Sequence, residues 1–290
     1  MNIGIDIGGS HIAIAVVEKS NIILQKEKVY NQDFKMNLFK NLENFMKDTI
    51  TDILKDYKIE KIGISIAGTI RDNVLLYSPN LGLKNIDFRE ILEPCFNIPV
   101  TVNKDSFCAG RAEKEYGCLK GYDNNSIFLI IGTGIGGIRY LDGNIYRAGY
   151  GHMVIEKNGK QCKCGKKGCF ETYASIKVLR DKIKEYLNVT DIDGKQLHEY
   201  LLLNKQDKEI SKILDNYIYN FCIGLTNIID IDLPEVIGFG GSFSYYDDIF
   251  IDKIKETIAN NNLLLHKTKM PILKMGELKN DAGIIGATCY

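Results

Sequence analysis

Residues 2–28 read NIGIDIGGSHIAIAVVEKSNIILQKEK. Apolar runs at 1–6, 11–17 and 21–28 are separated by Gly8-Gly9-Ser10 and by a short polar turn. Close apolar runs with tight turns predict an antiparallel meander. The pattern returns at 126–141, SIFLIIGTGIGGIRYL, where a strand turns through Gly132-Thr133-Gly134 into the next, and Asp142-Gly143 is hairpin-turn material. Each copy is followed by alternating helical and strand patterns. After the first come a helix over 36–57, a strand over 62–67, a helix over 87–96, a strand over 99–102 and a helix over 105–116. After the second come a helix whose apolar stripe runs from Ile210 to Ile229, a strand over 236–239, a helix over 247–260, a strand over 271–274 and a small-residue helix over 282–289. The expected fold class is α/β, two related halves with a cleft between them, a usual place for ligands. The expected domains are 1–118 plus 281–290, and 119–280.

At 290 residues the chain suits two domains of ordinary size. Hydrophobic residues make up 45% and charged residues 26%, as in globular proteins. Lys plus Arg equals Asp plus Glu, 37 each, so no charge excess points to nucleic acid or anionic lipid as partner. The chain starts at an apolar strand without a basic leader, and no apolar run approaches the roughly 18 residues of a membrane span. The expectation is a cytoplasmic protein.

Gly8, Gly9 and Ser10 join two strands, where backbone N–H groups and a hydroxyl are able to close on a phosphate. Asp6 is placed to hold Mg²⁺ through water. A plain hairpin explains one such loop equally well, but Gly132, Thr133 and Gly134 repeat it at the matching place, which favours a phosphate clamp. Neither loop is a P-loop, since no Gly-Lys-Ser/Thr follows, and a strand rather than a helix follows each. The stretch 238–242, GFGGS, with Gly240 and Gly241, suits either an adenosine site or an ordinary strand-to-helix turn. Asp105 begins a helix after a strand, a position for a general base, but spacing alone favours a helix N-cap. His11 is a candidate phosphate neighbour; His198 and His266 read as solvent-facing.

Of the eight cysteines, three fall in RAGYGHMVIEKNGKQCKCGKKGCFE, residues 147–171. His152, Cys162, Cys164 and Cys169 have the ligand chemistry of a tetrahedral, four-ligand and therefore structural zinc site. Lys160, Lys163, Lys166 and Lys167 make the segment too polar for a core and are expected to favour thiolates. Cys95, Cys108, Cys118, Cys222 and Cys289 read as buried, reduced side chains.

These motifs, in this order over the whole chain, resemble the ROK family (repressors, open reading frames and sugar kinases) of the actin/hexokinase-like ATPase superfamily. The phosphate loops resemble DIGGS at 6–10 and IGTGIGG at 131–137, and the adenosine loop GFGGS. The zinc motif, GH followed by CxCGxxGCxE, is matched by Gly151, His152, Cys162, Cys164, Gly165, Gly168, Cys169 and Glu171. The resemblance implies two ribonuclease-H-like lobes around a central cleft with a zinc-binding loop, often as a homodimer. It implies ATP-dependent phosphorylation of a hydroxyl of a hexose or N-acetylhexosamine, glucokinase-like or N-acetylmannosamine-kinase-like, with ATP, Mg²⁺ and structural Zn²⁺. Asp105 would be the base. Gly68, Asn80, His152 and Glu171 would line the sugar pocket, His152 sharing its ring between zinc and sugar.

The sequence departs from that pattern at Lys104, where the family usually has Asn, at Gly149, where it usually has Glu, and at Ala67 for the usual proline. A lost anion and a gained cation suggest an anionic or differently substituted sugar. If Lys104 turns away, Asn103 supplies the amide. The alternatives are a catalytically altered sugar-binding sensor and a sugar-responsive regulator. Against the regulator, no residues precede the first strand to build a helix-turn-helix, and there is no basic patch.

Overall fold

The structure, a computed structural model, describes residues 1–266 and 268–290. The chain divides into two compact units, Met1–Gly117 with Asn280–Tyr290, and Cys118–Lys279. In chain order the first holds β1 (Asn2–Ile7), β2 (His11–Glu18), β3 (Asn21–Val29), α1 (Gln32–Met36), α2 (Leu38–Asp56), β4 (Lys61–Ile66), β5 (Thr69–Arg71), β6 (Val74–Ser78), β7 (Leu83–Ile86), α3 (Phe88–Phe96), β8 (Val100–Lys104) and α4 (Asp105–Tyr116). The second holds β9 (Asn125–Ile131), β10 (Ile135–Leu141), β11 (Asn144–Ala148), a 3₁₀ turn at Tyr150–His152, α5 (Glu171–Ala174), α6 (Ile176–Leu187), α7 (Gly194–Leu203), α8 (Lys208–Asp232), β12 (Val236–Gly240), α9 (Asp247–Asn260) and β13 (Ile272–Met275). Last comes α10 (Ala282–Ala287), which belongs to the first unit.

The two large sheets have one topology. Their strand orders are β3-β2-β1-β4-β8 and β11-β10-β9-β12-β13. In each, three antiparallel strands are followed by two parallel ones. In the first unit Ile3, Ile5, Ile62, Ile64, Val100 and Val102 share a core with Leu42, Met46 and Ile50 of α2. Strand alternation puts Gly4, Asp6, Gly63, Ser65 and Asn103 on the other face. Helix α10 lies there, against β1, β4 and α4. A Cβ on Gly63 would fall 1.7 Å from the Ala287 carbonyl oxygen, and one on Gly286 would fall 1.7 Å from that of Cys108. The small-residue helix expected from the sequence is thus wedged between a sheet and a helix, backbone to backbone. The second unit is cored by Phe221, Phe239, Phe243 and Phe250, with neighbouring ring centroids 4.6–5.8 Å apart.

The helix expected over 36–57 is present as α2. Three features depart from expectation. A short α1 precedes α2: Asn31 caps it through Phe34 N (2.8 Å), Asn41 Nδ2 donates to the Phe34 carbonyl (3.0 Å), and Asn37 between the helices leaves helical geometry at φ −128°. The sheet β5-β6-β7 was not foreseen, because strands of three to five residues carry too little alternation. Its signal was Asp72-Asn73, whose φ values of 52° and 64° make the two-residue turn between β5 and β6. Cys95 is exposed rather than buried, lying in the last turn of α3 beyond the covered Phe88 and Leu92.

Gly63→Ala is expected to lower the unfolding free energy by about 1–3 kcal/mol or more, because backbone has to move to admit the methyl. Gly149→Ala meets nothing within 4 Å and should stay within about 0.5 kcal/mol of the parent. Urea titration of both variants reads the difference.

Candidate functional site

Strands β1, β4 and β8 run parallel and end level, with Ile7 beside Ile66 and Ile66 beside Lys104. The C-terminal ends of parallel strands are where open α/β sheets bind ligands. Here that edge carries Asp6, the turn Gly8–Ser10, Gly68, Asn103, Lys104 and Asp105. The turn closes through Gly8 N–H to the His11 carbonyl (2.9 Å), leaving Gly9 and Ser10 exposed. Asn80, in the turn between β6 and β7, comes to this loop: a Cβ on Gly9 would lie 3.9 Å from its Cβ. His11 is partly exposed, its Nδ1 3.3 Å from Ser10 Oγ.

Asp6 is partly exposed as a residue, but its carboxyl group is closely surrounded by protein atoms. Ser65 Oγ donates to Asp6 Oδ1 at 2.6 Å. Burial raises the Asp6 pKa above 3.8, and Asp105 adds to the effect; Ser65 and His11 oppose it. Gly283 in the first turn of α10 faces the same carboxylate, so that a Cβ there would lie 3.2 Å from Oδ1. Ser65, Gly283 and the buried Tyr30, whose backbone N–H donates to the Ser10 carbonyl (2.8 Å), were missed from sequence. All three take their place through tertiary pairing, and nothing in their local sequence marks them.

Asp105 is the first helical residue of α4, and Lys104 is the N-cap residue, so the N-cap reading of Asp105 is corrected. Its Oδ1 accepts the Ser106 N–H at 2.7 Å. Its other oxygen has no hydrogen-bond partner among the described residues, and the residue is partly exposed. Asn103 pairs with Ser65 and shares the Asp6 face, whereas Lys104 alternates to the opposite side and makes no ion pair among the described residues.

In the second unit, β9 and β12 are parallel, with Ile130 beside Gly240. The turn Gly132–Gly134 follows β9, with Thr133 exposed, and Gly241 follows β12. A Cβ on Gly241 would lie 2.7 Å from the Ile131 carbonyl oxygen, to which Ser242 Oγ donates at 3.4 Å. The two glycine stretches are therefore neighbours. Lys177 N–H, at the start of α6, donates to the Gly132 carbonyl (3.1 Å).

The ligand atoms of His152, Cys162, Cys164 and Cys169 lie within 4.8 Å of one another. Cys164 Sγ is 3.6 Å from Cys169 Sγ, and Cys162 Sγ is 3.8 Å from His152 Nδ1. Tetrahedral zinc with these donors sets edges of about 3.5–3.8 Å, so the donor set and its spacing fit zinc. His152 turns Nδ1 to this cluster, and its side chain is 45% exposed. Burial pushes the Cys162 thiol up to about 12 and also raises Cys169. Only Cys164 is lowered, chiefly by the Lys166 backbone N–H. The lysines do not by themselves make this a thiolate cluster, and a bound cation has to displace protons. Glu171 lies beside the cluster, Oε1 3.1 Å from Cys162 Sγ and 3.4 Å from His152 Nδ1. Of the histidines read as solvent-facing, His266 is exposed, but His198 pairs with Asp248 (2.9 Å) and sets its ring edge-on to Tyr246.

Zinc should co-purify with the protein and be lost in Cys164→Ser. It should also be released as pH falls, because protons compete for thiols whose pKa values are raised. Metal analysis after dialysis over a pH series checks both. A second expectation concerns Asp6. A carboxyl group with a raised folded pKa holds its proton more tightly when folded, so ionised Asp6 costs stability above that pKa and nothing below 3.8. Asp6→Asn should therefore be more stable than the parent at pH 7, with the gain vanishing toward pH 3.8. Denaturant titrations across that range will show whether the gain exists.

The ROK family model matches residues 2–290. The chain is 29% identical over 279 residues to the xylose repressor of Bacillus spizizenii, which covers 89% of this chain and 68% of the repressor. It is 26% identical over 317 residues to the glucokinase of Streptomyces coelicolor, covering 99% of this chain and 96% of that enzyme. Among solved structures, a ROK family glucokinase from Streptomyces griseus in complex with glucose and AMPPNP has the same fold, with a TM-score of 0.81 and 23% identity over 99% of this chain and 98% of that one. The chain belongs to the ROK family.

Proposed function

We propose that the protein is an ATP-dependent sugar kinase that phosphorylates a hydroxyl of a hexose or N-acetylhexosamine, with Asp105 as general base. The observation that carries this reading is the Asp105 carboxylate. One oxygen is fixed by Ser106 N–H, and the other is unpartnered among the described residues at the end of a parallel strand, beside the Asp6 loop. A base so held accepts a hydroxyl proton as the substrate oxygen attacks the γ-phosphorus and ADP leaves. Each glycine turn by itself offers phosphate oxygens its exposed positions, Gly9 and Ser10 in the first unit and Thr133 in the second. Gly240 and Gly241 receive the adenosine. Asp6 carries Mg²⁺ through water, and the cation offsets phosphate charge. The glucokinase relative supports the same chemistry. Gly68, Asn80 and Asn103, in the same unit as Asp105, are the proposed sugar contacts. Asn103 rather than Lys104 is the amide donor, because it lies on the Asp6 face.

A second reading, a sugar-binding regulator or sensor, is favoured by the xylose repressor relative. Turnover separates the two. With Mg-ATP and a panel of hexoses, N-acetylhexosamines and sugar phosphates, the kinase reading expects phosphorylation of at least one sugar. It expects kcat to fall about 10²–10⁴-fold in Asp105→Asn, with little change in the KM for ATP. Calorimetric sugar binding with no turnover on any panel member would establish the sensor instead.

A further inference from the structure

Glu171 touches two things at once. Its Oε1 faces the metal cluster, 3.1 Å from Cys162 Sγ and 3.4 Å from His152 Nδ1. Its Oε2 faces the second glycine loop and accepts the Ile135 N–H at 3.4 Å. The contact with that loop is close: a Cβ on Gly134 would lie 2.6 Å from Oε2, so any side chain there has to push the Glu171 carboxylate aside. The loop also has its back to the segment that carries the metal-ligating histidine: a Cβ on Gly151 would fall 2.0 Å from the Ile135 carbonyl oxygen.

We infer that Glu171 is a positioning residue through which the metal cluster sets the conformation of the loop Gly132–Ile135, so that metal and nucleotide binding are energetically coupled. The inference rests on the reading of that loop as phosphate-binding. The segment around Cys162 and Cys164 has little apolar surface to order it; turn hydrogen bonds, such as those from Gln161 Nε2 to the carbonyls of Cys162, Gly165 and Lys166, and its four ligands do that instead. Residues 160, 161, 163, 164, 165, 166 and 167 are all exposed, and the turn is closed by short backbone bonds such as Cys162 N–H to the Lys166 carbonyl (2.8 Å). Cys162 itself is 3% exposed, but the chain on either side of it is not held by apolar burial, and ligation would be what draws the four side chains together. When the cluster is ligated, Cys162 and His152 stand fixed beside Oε1, and this confines the carboxylate so that Oε2 stays where the loop's N–H meets it. When the ligands scatter, the carboxylate loses that anchor, and the loop loses the acceptor that defines its exit into β10. A shorter side chain at 171 breaks the link from the other end. Coupling of this kind is reciprocal: bound nucleotide also tightens the hold on the metal.

The test uses the full chain with zinc and after removal of zinc by a chelator, followed by backbone hydrogen exchange. In the parent protein, zinc removal should speed exchange of the amides over 132–136 about tenfold, while Phe128–Ile130 within β9 stay protected. In Glu171→Ala those loop amides should exchange fast in both states, and in Glu171→Gln, whose amide oxygen still accepts the Ile135 N–H, the response to zinc should return. Affinity for AMPPNP should follow the same order, falling about tenfold on zinc removal in the parent and Glu171→Gln and changing little in Glu171→Ala. The inference is overturned if Glu171→Ala responds to zinc as strongly as the parent does. It is equally overturned if zinc removal leaves the loop unchanged, or deprotects β9 together with it, which would make the metal a support for the whole unit. A parent protein that binds no AMPPNP refutes the kinase reading, and the exchange experiment still decides the link between cluster and loop.

Discussion

Backbone contact between α10 and the sheet is the constraint on which the first unit depends. Two carbonyl oxygens, those of Ala287 and Cys108, occupy the space that β-carbons on Gly63 and Gly286 would fill. Packing this close gains dispersion energy over many atom pairs, but only if no side chain intervenes. It also fixes chemistry. The helix reaches the sheet at the face where Asp6 and Ser65 point, and Gly283 at its start leaves room for the Asp6 carboxylate. The same contact that closes the core thus holds an ionisable group in surroundings that resist its ionisation. Sites of this kind commonly trade stability for function.

Much of this was legible in the sequence. The duplicated meander could be read because apolar runs and glycine turns are local signals, and both sheets have the strand order that a repeat implies. The cluster at 152–169 was legible because ligand chemistry is written in residue type and spacing. The remainder depended on tertiary partners. Ser65 is one small polar residue in an apolar strand, and only the pairing of β1 with β4 sets it beside Asp6. His198 looked solvent-facing because nothing near it in sequence pairs with it; its partner, Asp248, is on another helix. The sheet β5-β6-β7 was hidden by the brevity of its strands. Strand alternation, which no local signal reveals, puts Asn103 on the Asp6 face and Lys104 on the opposite one, and the proposal for Asn103 rests on that.

The two units elaborate one topology differently. The first inserts a small antiparallel sheet after β4; the second inserts the cysteine segment after β11. Both insertions bring residues to the loops that end the parallel strands: Asn80 to Gly9 in one, Glu171 to Gly134 in the other. A common scaffold thereby supplies the glycine turns twice, while the inserted segments supply the groups that differ. Function in such folds resides in what is grafted on the strand ends.

The position of α10 in the chain order has a consequence for biosynthesis. The second unit is one uninterrupted stretch, Cys118–Lys279, but the first is completed only by residues that follow it. A ribosome delivers β1 through α4 early, and the glycine-lined groove on that sheet then waits for its helix while the whole second unit is made. Domains emerging in order usually fold in order; here the later one is able to finish first. The uncovered faces of Gly4 and Gly63 are exposed to wrong partners for that interval, so the chain's dependence on chaperones is expected to be concentrated in the half that is synthesised first.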